Sequence, residues 1–106
     1  MDKAAALKVL TRFREAIESQ RIKVDKLILF GSYAIGANRE GSDIDVIVLS
    51  NDFASKDYWA RTDILSRAIY EVFEPIEAVA LTPEEWDKGD SEIVEYARSG
   101  EVVYGG

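Results

Sequence analysis

The chain has 106 residues, 47% of them apolar and 31% charged, with a formal net charge of −7; this suits one compact domain around a single core. With no cysteine and no histidine, disulfides, thiolate zinc sites, imidazole-bound metals and Ser-His-Asp or Cys-His catalysis are all excluded. The acidic balance disfavours a long nucleic acid, whose binding relies on neutralised phosphates, but admits a nucleotide whose charge a metal ion offsets locally.

In chain order, residues 3–20 carry Leu7, Leu10, Phe13 and Ile17 at the spacing of an amphipathic helix. Lys8 breaks the apolar part of this stretch, so it does not read as a signal peptide. No apolar run reaches the roughly 18 residues of a membrane span, and a cytoplasmic location is expected. KLILF, residues 26–30, reads as a buried strand stopped by Gly31. A turn or short helix follows through SYAIGA, then the polar loop NREG.

Residues 44–50, IDVIVLS, give a strand rich in β-branched residues. Residues 56–73 predict a helix with Trp59, Leu65, Ala68, Ile69, Val72 and Phe73 on one face, ended by Pro75. A third strand is expected over 76–81, IEAVAL. Thr82-Pro83-Glu84-Glu85 then has N-cap, N1 proline and N3 glutamate in the order of a capping box. Gly89 is expected to interrupt that helix, which resumes over 91–98, and VVY at 102–104 is expected to form a final short edge strand. The alternation predicts an α+β fold of two-layer α/β type over residues 1–106, a small mixed sheet covered by helices.

Two aspartates, Asp43 and Asp45, stand at the mouth of the most apolar strand. Side chains alternate along a strand, so both point one way while Ile44, Val46 and Val48 point the other. Two carboxylates about 5 Å apart repel by roughly 3 kcal/mol at an effective dielectric near 20. A divalent cation converts that repulsion into ligation, and hard carboxylate oxygens suit Mg²⁺, which is commonly held by one or two carboxylates and substrate phosphates. Glu77, flanked by apolar residues in IEAVAL, offers a third carboxylate on a strand expected to be as buried as the second. Two ions about 3.5–4 Å apart could then activate an attacking oxygen and stabilise a leaving pyrophosphate.

Gly31 and Ser32 end a strand and open a turn, where backbone N–H groups can approach phosphate oxygens closely. A Walker P-loop is excluded because Ala37-Asn38 stands where Lys-Ser/Thr is required. An EF-hand is excluded because the D-x-D runs straight into a strand. Structural readings stand beside these: Asp43 as a turn cap, Asp45 paired with Arg39 or a lysine, Glu77 as an edge-strand surface residue, and Tyr58, Trp59 and Trp86 as packing.

Taken together, Gly31-Ser32, Gly36, Ser42-Asp43-Ile44-Asp45 and Glu77 resemble the signature of the DNA polymerase beta-like nucleotidyltransferase superfamily. The closest likeness is to its minimal nucleotidyltransferase (MNT) branch, and it covers nearly the whole chain. The resemblance implies that Asp43 and Asp45 bind two Mg²⁺ ions carrying a nucleoside triphosphate. Glu77 would help hold one ion and assist deprotonation of the acceptor hydroxyl, Gly31 and Ser32 would hold the β- and γ-phosphates, and Ser42 would also bind the nucleotide. It implies transfer of AMP from ATP to a hydroxyl, with a HEPN-domain helical protein as partner and this chain as the antitoxin of the pair; a homo-oligomer is compatible with it. Two departures stand out. Glu77 replaces the family's usual aspartate, and Ile35 occupies a position where many members carry a basic residue. These departures keep open an alternative of another class, a non-catalytic module that neutralises a HEPN-type protein by docking.

Overall fold

The computed structural model describes residues 1–105. Its elements run α1 (Lys3–Glu18), β1 (Lys26–Phe30), α2 (Ser32–Ile35), β2 (Ile44–Leu49), a 3-10 helix (Asn51–Ser55), α3 (Tyr58–Val72), β3 (Ile76–Leu81), α4 (Pro83–Lys88), α5 (Glu92–Ala97) and β4 (Glu101–Tyr104). The four strands form one mixed sheet in the order β3-β2-β1-β4. β1 is antiparallel to both β2 and β4, whereas β2 and β3 are parallel, joined by the crossover through α3.

Alternation along the central strands sends side chains to two differently covered faces. Leu27, Leu29, Ile44, Val46 and Val48 face α1 and α3, which contribute Leu10, Phe13, Ile17, Leu65, Ala68 and Val72 to the larger core. Full burial of each such side chain contributes about 1.5–3 kcal/mol before conformational entropy is subtracted. Ile28, Phe30, Ile47 and Leu49 face the opposite way, under Ala97 of α5 with Trp86 and Ile93 at the margin. This second cover is two helices of six residues each, so it reaches only part of the face.

The helix ends follow the chemistry of their caps. Asp2, Asp57 and Ser91 each accept a backbone N–H from the first turn of α1, α3 and α5. Thr82 and Glu85 form the reciprocal capping box that starts α4. α3 ends at Val72, with Phe73 in the left-handed conformation (φ 57°, ψ 48°) normally taken by glycine.

Two expectations for α3 are corrected. Trp59 and Phe73 are exposed rather than buried with Leu65, Ala68 and Val72: Trp59 projects about 120° around the helix from Leu65, and Phe73 lies past the helix end in the left-handed cap. Tyr58, likewise expected to pack, is also exposed, stacked edge-on against Trp59. Among the described residues no helix is long and apolar enough to cross a membrane.

Candidate active site

The registers of the β1–β2 and β2–β3 pairings generate one row of side chains across the sheet. Phe30 is opposite Asp45, and Asp45 is opposite Glu77. All three belong to the face shared with Ile47 and Leu49, at the end where the cover of α4 and α5 runs out. Asp45 is partly buried there, and Asp43, just before the strand, is exposed.

Glu77 is exposed too, which corrects the expectation that β3 would be as buried as β2. β3 is an edge strand, so its apolar neighbours cover only one side of it. Burial therefore says nothing about Glu77; its parallel register with Asp45 is what brings the two carboxyl groups together.

The local charge is uncompensated. The Asp45 carboxyl is raised from 3.8 to about 6, first by burial, then by a side-chain hydrogen bond with Glu77, then by the negative charges of Glu77 and Asp43. Five ion pairs form among the described residues and none uses Asp43, Asp45 or Glu77. Pairing of Asp45 with Arg39 or a lysine is thus not what the fold does. Among the described residues no three acidic groups lie close enough to form a ready-made cage for one ion. Asp45 and Glu77 are adjacent, while Asp43 acts on Asp45 through its charge.

Gly31 locks the other side of Asp45. Its φ of 72° and ψ of −153° lie in a region that is essentially glycine-only. A Cβ added there would collide with Asp45 Oδ2. The backbone at the end of β1 therefore passes directly against the carboxylate, which only glycine permits. Ser32 opens α2, a single turn anchored by the buried Tyr33 and ended by Gly36 in the left-handed conformation. Ser42 closes the preceding loop: its Oγ accepts the Arg39 N–H at 2.8 Å, and its own N–H donates to the Arg39 carbonyl at 3.0 Å.

Two clefts adjoin the row. One, of about 480 Å³, is lined by Asp45, Glu77, Ala78 and Ile93 together with Phe30 and Tyr96. The other, of about 210 Å³, is lined by Gly31, Ile35 and Ser99, again with Phe30 and Tyr96. Phe30 and Tyr96 were not singled out by sequence reasoning. Phe30 looks like one more apolar strand residue, and Tyr96 sits in a helix too short to show a periodic pattern. A further groove between α3 and β3 is lined by no carboxylate.

The donor set is hard, anionic and free of protein cations, which is the chemistry of a divalent-metal phosphate site. The comparisons with known proteins agree on the class. Residues 10–98 match the nucleotidyltransferase domain family, and the chain belongs to that family. No curated protein matches the sequence.

Among solved structures, a candidate nucleotidyltransferase of Sulfolobus solfataricus superposes with a TM-score of 0.71 at 20% identity, covering 94% of this chain and 80% of that one. A toxin–antitoxin complex with AMP-PNP gives 0.63 at 22% identity, covering 91% and 73%. A tri-AMPylated HEPN toxin of Shewanella oneidensis in complex with MNT antitoxin gives 0.54 at 21% identity, covering 92% and 73%. At these identities the likeness is one of fold, and the neighbours of that fold include MNT antitoxins.

Proposed function

We propose that this domain is a Mg²⁺-dependent nucleotidyltransferase that moves AMP from ATP onto a hydroxyl of a HEPN-type helical protein, as the antitoxin of such a pair. The observation that carries the reading is the row Phe30–Asp45–Glu77 with Gly31 pressed against Asp45. Membership of the nucleotidyltransferase family supports it, as do fold neighbours whose names include AMP-PNP and an AMPylated HEPN toxin.

In this reading Asp43, Asp45 and Glu77 hold two Mg²⁺ ions, which, when bound, neutralise the triphosphate and raise the reactivity of the acceptor oxygen. Gly31, lacking a Cβ, lets the Asp45 carboxylate sit against the end of β1, and Ser32 offers a hydroxyl donor to the phosphates beside it. Ser42 contributes by holding the loop that carries Asp43, its hydroxyl being engaged with Arg39. Glu77, at the exposed edge, is the group best reached by an acceptor on a partner protein, and it takes the hydroxyl proton. The acceptor oxygen bonds to the α-phosphorus as the bond from that phosphorus to the bridging oxygen breaks, and pyrophosphate leaves.

The test is transfer of label from [α-³²P]ATP to a purified HEPN-type partner with Mg²⁺ present. Transfer by the native domain and none by the Asp43→Asn/Asp45→Asn variant is expected; equal transfer by both overturns the assignment. The gap between Asp43 and the Asp45–Glu77 pair favours a second reading, a module that silences its partner by docking alone. Under that reading the double variant still binds and silences.

A further inference from the structure

Tyr96 has no role in the chemistry above, yet it stands over the site. It is 67% exposed, although a tyrosine on an ordinary packing helix face would be largely covered. Its ring meets Phe30 edge-on, with centroids 5.8 Å apart and planes at 82°, a favoured aromatic geometry that fixes ring orientation without burying it. Phe30 is the first member of the row that continues through Asp45 to Glu77. Tyr96 lines both clefts, the one containing the two carboxylates and the one containing Gly31. It therefore flanks any triphosphate held in the cleft at Asp45 and Glu77.

We infer that Tyr96, steadied by Phe30, is the stacking surface for the base of the bound nucleotide and a specificity-determining residue of this site. The inference rests on the proposed nucleotide site. A triphosphate held in the cleft at Asp45 and Glu77, beside Gly31, leaves its sugar and base to extend along the sheet end. There the exposed apolar surface is Tyr96, with Ile35 at the rim of the Gly31 cleft (77% exposed). Stacking on an aromatic face needs no hydrogen-bond code, so it discriminates by ring area, purine over pyrimidine, rather than by base edge. The acidic surround offers no arginine among the cleft-lining residues to take this role.

The experiment is calorimetric titration of the full chain, in Mg²⁺, with ATP, CTP and inorganic tripolyphosphate. The native domain is expected to bind ATP more tightly than CTP. Tyr96→Ala should weaken ATP about five- to hundredfold, the range typical of a lost base–aromatic stack. It should leave tripolyphosphate affinity unchanged, and Tyr96→Phe should restore ATP affinity because the ring is kept. Equal weakening of ATP and tripolyphosphate by Tyr96→Ala would make Tyr96 merely structural and overturn the inference. So would native-like ATP binding by that variant. Failure of the native domain to bind either ligand would instead overturn the nucleotide site, and the inference with it.

Discussion

Replacing Asp45 with asparagine should make the metal-free domain more stable while disabling the site. The folded carboxyl titrates at about 6 against a starting value of 3.8. Between those values the folded state holds more protons than the unfolded one, so stability falls as pH rises through the window. The penalty is absent below about 3.8 and complete above about 6. At about 1.36 kcal/mol per pKa unit the rise corresponds to an upper bound of about 3 kcal/mol. Screening at a partly exposed position reduces this to about 1 kcal/mol.

Asparagine keeps the shape, has no charge at any pH and can donate to Glu77. Relief of about 1 kcal/mol in a domain of this size raises Tm by roughly 5 °C. Thermal melts followed by circular dichroism at pH 7.5 and pH 4.5, without divalent ions, provide the assay. The variant should melt higher at pH 7.5, and the gain should shrink at pH 4.5. Adding MgATP should raise the native Tm by mass action and leave the variant where it was. A variant less stable than native at pH 7.5, or a gain independent of pH, would refute the electrostatic account of Asp45.

Two further substitutions probe the backbone. Gly31→Ala meets both a glycine-only conformation and the Asp45 carboxylate, so chemical denaturation should report a loss of about 1–3 kcal/mol, with nucleotide binding lost as well. Phe73→Gly removes a non-glycine residue from the left-handed helix cap, where it is 83% exposed, and urea titration should show a gain of about 1 kcal/mol.

What the sequence made legible follows from which patterns are local. β1 and β3 occupy the predicted residues and β2 differs by one, because short apolar, β-branched runs bounded by glycine, proline or polar residues admit little else. The start of α4 was written in Thr82, Pro83 and Glu85, a signal complete within four residues. The 3-10 helix over Asn51–Ser55 was not foreseen, since its formation depends on Ser50 accepting the Asp52 N–H and on Phe53 reaching the core.

Nonlocal facts were where reading stopped. Leu65, Ala68 and Val72 give the buried face of α3, but Trp59 lies about 120° around the helix from Leu65 and Phe73 turns out of the helix in its left-handed cap, so neither reaches the core. Asp43 and Asp45 drew attention because charge in a strand is costly. That Glu77 lies beside Asp45 depends on strand order and register, which no spacing within IEAVAL encodes. Glu77 was singled out for its apolar neighbours, yet the edge position of β3 leaves it exposed, and the parallel register is what makes it a partner of Asp45. Tyr96 reaches the site only because α5 lies against Phe30, a contact between segments 66 residues apart in the chain.

The most direct test of the central claim is a crystal structure grown with Mn²⁺ and a non-hydrolysable ATP analogue, read by anomalous scattering from the metal. The account predicts anomalous peaks about 2.1 Å from carboxylate oxygens of Asp43, Asp45 and Glu77, with the triphosphate against Gly31. Peaks at other residues, or a bound analogue with none of the three carboxylates ligating metal, would contradict it.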